Sequence, residues 1–295
     1  MRRHRFGAAL GAATVLTLLP MLIEPCVAQR RGASPLSGRQ APRFPDGRVN
    51  LGSTPKEKGL WIAIDNRLAI PESPEDVADR DVLRDPAAGV PPEVRFPKLK
   101  VSQVPFQPWA GALFTYRQHH EFEPYTRCKP AGGLRMVATA YGTDFIEAPE
   151  QKRIYITQTG GPHSFRPIYM DGRPHPKDLE PSYYGHSVGY WEGDTLVVDT
   201  VGYNERGWID LRGLPTTGQL HTIEHFSRPD FNILRYEITI DDPGAYTEPW
   251  TSGMYFQWDP GAEQFEFVCQ DGNLAPLLMI GVENQPLNRS SEIVP

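Results

Sequence analysis

Hydrophobic and polar positions alternate along most of the second half of the chain. Arg153-Ile154-Tyr155-Ile156-Thr157 is the cleanest case, rich in β-branched and aromatic residues and stopped by Gly160-Gly161-Pro162. Shorter strands are predicted over 136–141 and 144–148, and another over 165–170, ended by the turn pair Asp171-Gly172. Three prolines in 173–182 make that stretch a loop. Residues 187–191 and 195–202 read as two strands joined by Glu192-Gly193-Asp194. A second hairpin is predicted from 221–226 and 233–240 over Arg228-Pro229-Asp230, and a third from 254–258 and 264–268 over Asp259-Pro260-Gly261. Strands that follow one another through short turns, with no helices between them, describe an antiparallel meander. A twisted meander of about eight strands curls, and closure removes its edges. The expected fold is mainly β, a meander closing into a lipocalin-like barrel or half-barrel.

Ahead of this region the pattern is different. Residues 29–110 hold twelve prolines and little periodicity, and proline removes a backbone donor and fixes φ. An extended arm is expected there, docking through Trp61 with Ile62 and Ile64, and through Trp109 with Leu113 and Phe114. Pro71-Glu72-Ser73-Pro74 reads as a helix start with Ser73 as its cap. Trp109, Leu113, Tyr116 and His120 share helical spacing, which predicts a helix within 106–122. The expected organisation is a signal peptide over 1–28, a Pro-rich arm over 29–110, a barrel over 111–285 and a tail over 286–295.

The signal peptide rests on a basic start (Arg2, Arg3, Arg5), an apolar run over 6–23 and the small-residue exit Cys26-Val27-Ala28. Its removal takes away three Arg and one Glu, so the formal charge moves from −6 to −8. No stable membrane span is then expected, and an acidic chain without a Lys/Arg run is a poor ligand for nucleic acid. A periplasmic or secreted protein follows. In an oxidising compartment the two remaining cysteines, Cys128 and Cys269, are expected to pair.

Two motif matches fail on context. Gly185-His186-Ser187-Val188-Gly189 has the G-x-S-x-G spacing of a nucleophile elbow, but that turn needs a strand before the serine and a helix after it. Here a Pro-rich loop comes before and a hairpin after. His221-Thr222-Ile223-Glu224-His225 has the H-x-x-E-H spacing of a zinc peptidase, which requires a helix. The segment alternates as a strand, which sets residues four apart at about 13 Å. No metal and no cofactor are expected.

The remaining polar residues are denser over 165–203 than anywhere else. Asp199 shares a strand face with Thr195, Val197 and Val201, and Glu224 lies beside Leu220 and Phe226. A carboxylate on an apolar face must be paired, and Arg166, Arg173, Arg206 and Arg235 are available. His186 is the candidate acid/base, with Asp199 or Glu224 as its carboxylate partner. Arg166, Asp171, Arg173, His175, Trp191 and Trp208 are candidate ligand contacts.

The run FRPIYMDGRPHPKDLEPSYYGHSVGYWEGDTLVVDTVGYN, with WID, HTIEHFSRPD and ITIDDPGAYTEPW after it, resembles a large group of uncharacterised exported bacterial proteins. The resemblance implies export and carries no activity. The leading expectation is therefore a barrel that holds a small amphipathic molecule in its mouth. A lyase, isomerase or hydrolase using the His/carboxylate/Arg cluster is the alternative. A third reading is an envelope interaction protein that binds through its arm.

Overall fold

The computed structural model describes residues 37–64, 67–72, 96–137, 141–160 and 165–269. The expected signal peptide, the helix start at Ser73 and the tail lie outside the described residues. Among the described residues nine strands close into one barrel, each bonded to the next and the last to the first. They are β1 (Gly59–Ala63), β2 (Thr143–Ala148), β3 (Arg153–Gln158), β4 (Phe165–Tyr169), β5 (His186–Glu192), β6 (Thr195–Val201), β7 (His221–Asp230), β8 (Ile233–Asp241) and β9 (Trp250–Pro260). Two helices, α1 (Pro108–His120) and α2 (Gly133–Val137), accompany them. No described helix is long and apolar enough to cross a membrane.

The alternation fixes which side chains enter the barrel. On β7 the buried positions are Thr222, Glu224, Phe226, Arg228 and Asp230. On β8 the corresponding set is Leu234, Tyr236, Ile238 and Ile240. Phe226 meets Phe145 at 5.2 Å and Tyr236 at 4.8 Å between ring centres, within the range for favourable edge and tilted contacts. The interior is thus filled by side chains, as expected of a small barrel. The β5–β6 hairpin turns at Gly193, whose φ of 59° is the left-handed region a tight hairpin turn demands.

Four details depart from the sequence reading. First, β1 falls inside the supposed arm and closes the barrel by pairing with β9 and β2. Its four buried residues, Gly59 to Ile62, leave it no polar face to betray a half-exposed strand. Second, residues 264–268 form no strand, because β1 already occupies the edge of β9. Third, Met136 lies in α2 rather than in a strand. Fourth, β4 and β5 run parallel, with Ile168 opposite Ser187. The long Pro-rich connection over 170–185 returns the chain to the end where β4 began, which a short turn does not allow.

The described part of the arm serves the barrel. Arg43 makes a double hydrogen bond to Asp194 at 2.8 and 2.6 Å, and the Ser37 hydroxyl donates to Asp230 at 2.8 Å. Arg228 donates to the carbonyls of Asn50 (2.9 Å) and Phe231 (2.8 Å) and lies 4.6 Å from the Trp61 ring. Burial pulls this guanidinium down to about 10. The strap over 37–58 therefore closes the hairpin-turn end of the barrel. The opposite end, where β6 stops and β7 starts, carries α2 and the connection over 202–220. Cys128 and Cys269 are bonded, with 5.6 Å between their Cα atoms, as expected.

Candidate functional site

Inside the barrel, Arg166 and Glu224 form a fully buried ion pair. Arg166 donates through Nε to Ser187 Oγ at 2.9 Å, through Nη1 to Glu224 Oε1 at 3.0 Å and through Nη2 to Thr200 Oγ1 at 2.7 Å. Nη2 also donates to Glu224 Oε2. Tyr236 donates its hydroxyl to Glu224 Oε1 at 2.8 Å, and Ser187 and Thr200 share a bond at 2.9 Å. Burial works against the Arg166 charge, but the Glu224 carboxylate outweighs it and holds the guanidinium above its usual value. Burial, then the Glu224 charge, keeps Tyr236 protonated well above the usual phenol range. Every polar atom of the pair is answered, which is what a buried ion pair requires. Ser187 is spent in this network, so it is a buried strand-entry residue and no nucleophile.

On the outer face of the same strands lies a second cluster. Asp199 opposes Val188 on β5 and Ile223 on β7, so His186 and His221 are its diagonal neighbours on one surface. His221 Nε2 is 2.8 Å from Asp199 Oδ1, and His175 Nε2 is 3.2 Å from the same oxygen. His175 Nδ1 is 2.8 Å from His186 Nδ1. The result is a continuous chain, His221, Asp199, His175, His186. The His186 ring stacks on Tyr169 at 4.9 Å and 20°. Above Tyr169 sits Arg173, 4.2 Å from the ring centre. Burial first, then the charges of His175 and Arg173, hold the His186 imidazole below its usual value. Arg173 grips Asp171 through Nε (2.9 Å) and Nη2 (2.6 Å), which holds that carboxyl down at about 2.

At the end of the barrel is an open, shallow depression. Tyr183, Tyr203, Trp208 and Leu220 supply its apolar walls, and Asn204, Thr216 and Thr222 its polar groups. The Tyr203 hydroxyl bonds Thr222 Oγ1 at 2.8 Å, and burial pushes that phenol up to about 12. Gly132, Gly133 and Gly207 lie along it and leave it room. A Cβ on Gly133 would sit 2.5 Å from Tyr203, whereas one on Gly207 would meet nothing closer than 3.8 Å.

The sequence-predicted residues therefore separate into several places. His186, His175 and Asp199 come together as one cluster. Glu224, the alternative partner of His186, lies on the other side of the sheet, because its even position on β7 points inward. Arg166 is buried with it as its counter-ion, away from the outer cluster. Arg173 and Asp171 neutralise each other beside the cluster. Trp208 lines the depression, but Trp191 sits at the far end of β5, where Arg48 lies 5.7 Å from its ring. The two tryptophans do not share a site. His221 was grouped with Glu224 and His225 by spacing; the alternation of β7 places it with Asp199 instead. Tyr183 and Tyr203 were missed although both lie in the 165–204 run, since neither is a charged or titrating group of the kind that singled out its neighbours.

Among the described residues no three His, Cys, Asp or Glu side chains converge to hold a metal ion. In the outer cluster His175 spends its two ring nitrogens on different neighbours, so its donors diverge. The chain matches no family model, no curated protein and no solved structure.

Proposed function

We propose that the chain binds a small amphipathic molecule in the depression at the end of its barrel. The lining of the depression carries this reading: aromatic walls with a few polar groups at the open end of the barrel. The filled interior moves the binding place from the barrel's axis to its rim. The three glycines supply space rather than contacts. The Cys128–Cys269 bond supports export, since such bonds persist in oxidising compartments.

The test uses the fluorescent amphiphile 1-anilinonaphthalene-8-sulfonate. Gly207→Leu fills the depression without a backbone clash, because nothing stands within 3.8 Å of the added Cβ. Saturable binding is expected to the wild-type protein and to weaken at least tenfold in Gly207→Leu, with the melting temperature unchanged. Equal binding to both proteins, or none to either, rejects the proposal.

A further inference from the structure

The outer cluster has a proton arrangement that follows from its hydrogen bonds. An ionised carboxylate only accepts, so the nitrogens facing Asp199 Oδ1, His175 Nε2 and His221 Nε2, each carry a proton. A neutral His175 then has a bare Nδ1. The 2.8 Å bond to His186 must be donated by His186 Nδ1–H. A neutral His186 with its proton on Nδ1 leaves Nε2 with a free lone pair. The chain thus ends in a base whose conjugate acid is backed, through a second imidazole, by a carboxylate. When Nε2 takes a proton, the Nδ1 proton can pass to His175 Nδ1, which moves the positive charge to the ring facing Asp199.

The ring is held from one side and open along the outer face of the sheet. Tyr169 stacks on one side of His186, and Val188 and Tyr190 are the next outward positions on β5, with Tyr190 52% exposed. The charged and titratable groups facing His186 are His175, Arg173 with its partner Asp171, Tyr169 and, beyond His175, Asp199 and His221. Neutral at pH 7, the imidazole is ready to accept a proton.

We propose that His186 is the general base of an ester hydrolase, with His175 and Asp199 as its positioning residues. Nε2 of His186 removes a proton from water, and the water oxygen bonds to the acyl carbon as the carbonyl electron pair moves to oxygen. Collapse of that intermediate breaks the bond to the leaving oxygen, which takes the proton back from His186 Nε2. An acid and an alcohol or phenol result, and the base is restored. This site is separate from the depression and stands or falls on its own.

Two measurements on the full chain test it. Long-range proton–nitrogen NMR at pH 7 reads the tautomers directly: His186 is expected as Nδ1–H and His175 as Nε2–H, and the opposite tautomer at either ring overturns the relay. Hydrolysis of p-nitrophenyl acetate supplies the second readout. The wild-type kcat/KM should rise with pH through a midpoint below the usual imidazole value. His186→Gln should lose about a hundredfold or more, the scale of general-base catalysis. Asp199→Asn should lower the midpoint further, which a purely structural role would not do. Both residues lie on the outer face, so unchanged melting temperatures are expected. Wild-type protein no faster than His186→Gln overturns the proposal. Activity lost to a chelator and restored by zinc alone would assign the same side chains to a metal and overturns it equally.

Discussion

Arg166→Met tests how the barrel interior is held. Methionine keeps much of the length and the apolar stem of arginine, so the cavity is small and the loss is mainly electrostatic. The variant removes both bonds from Arg166 to Glu224 and leaves the carboxylate only the Tyr236 hydroxyl, while Ser187 and Thr200 still satisfy each other. Breaking one side of a buried pair in this way costs about 3–5 kcal/mol, against a total stability of about 5–15 kcal/mol. The loss should depend on pH in a defined direction. Without Arg166 the buried carboxyl keeps its proton to higher pH than it does in the unfolded chain. Its contribution is then present at low pH and lost as pH rises. A shift of about three units, usual for buried carboxyls, makes the deficit about 3 kcal/mol larger at pH 8 than at pH 5. Urea unfolding of wild type and variant at those two pH values, followed by tryptophan fluorescence, measures both quantities. The double variant Arg166→Met with Glu224→Leu should be more stable at pH 8 than Arg166→Met alone, because no unpaired charge remains. A single-variant loss under about 1 kcal/mol at pH 8, or the same loss at both pH values, would refute the reasoning.

Further outcomes follow from other places in the fold. Burial pushes the Asp210 carboxyl up to about 6, although its Oδ1 accepts from the N–H groups of Arg212 (2.9 Å) and Leu214 (3.2 Å). Its folded value stands above the unfolded one, so its contribution is complete below about pH 4 and lost as pH rises through 6. The stability difference between wild type and Asp210→Asn should therefore shift by about 2–3 kcal/mol from pH 4 to pH 7, and parallel pH curves would exclude it. Removing the Cys128–Cys269 bond by a double Cys→Ala change should cost up to about 5 kcal/mol, since the bond closes a loop of 141 residues. Calorimetry showing no fall in melting temperature would remove that assignment. Gly133→Leu, whose Cβ would lie 2.5 Å from Tyr203, should lower the melting temperature by several degrees, in contrast to Gly207→Leu. Equal melting temperatures for the two would show that Tyr203 gives way.

Much was legible in the sequence, for reasons that differ residue by residue. The strands β3, β5 and β7 stand out because each is half-buried, so polarity alternates with a period of two. The need for a counter-ion at Glu224 was readable from the cost of an unpaired carboxylate between Leu220 and Phe226, and Arg166 meets that need. The Cys128–Cys269 bond was readable from the cysteine count alone, with Cys26 assigned to the expected leader. Tertiary structure alone decided the rest. Asp199 lies among Leu196, Val197 and Val198, apolar on both faces of β6, so alternation could not say that it points outward. Closure through β1 and β9 joins Trp61 to Trp258, and the parallel β4–β5 pair depends on a loop's return; neither leaves a local trace, because pairing partners far apart in sequence share no turn. His175 reaches Asp199 only because that loop folds back over the outer face, which spacing along the chain cannot encode. Sequence periodicity determined which residues share a face, while packing chose which face looks inward and which distant residues meet upon it.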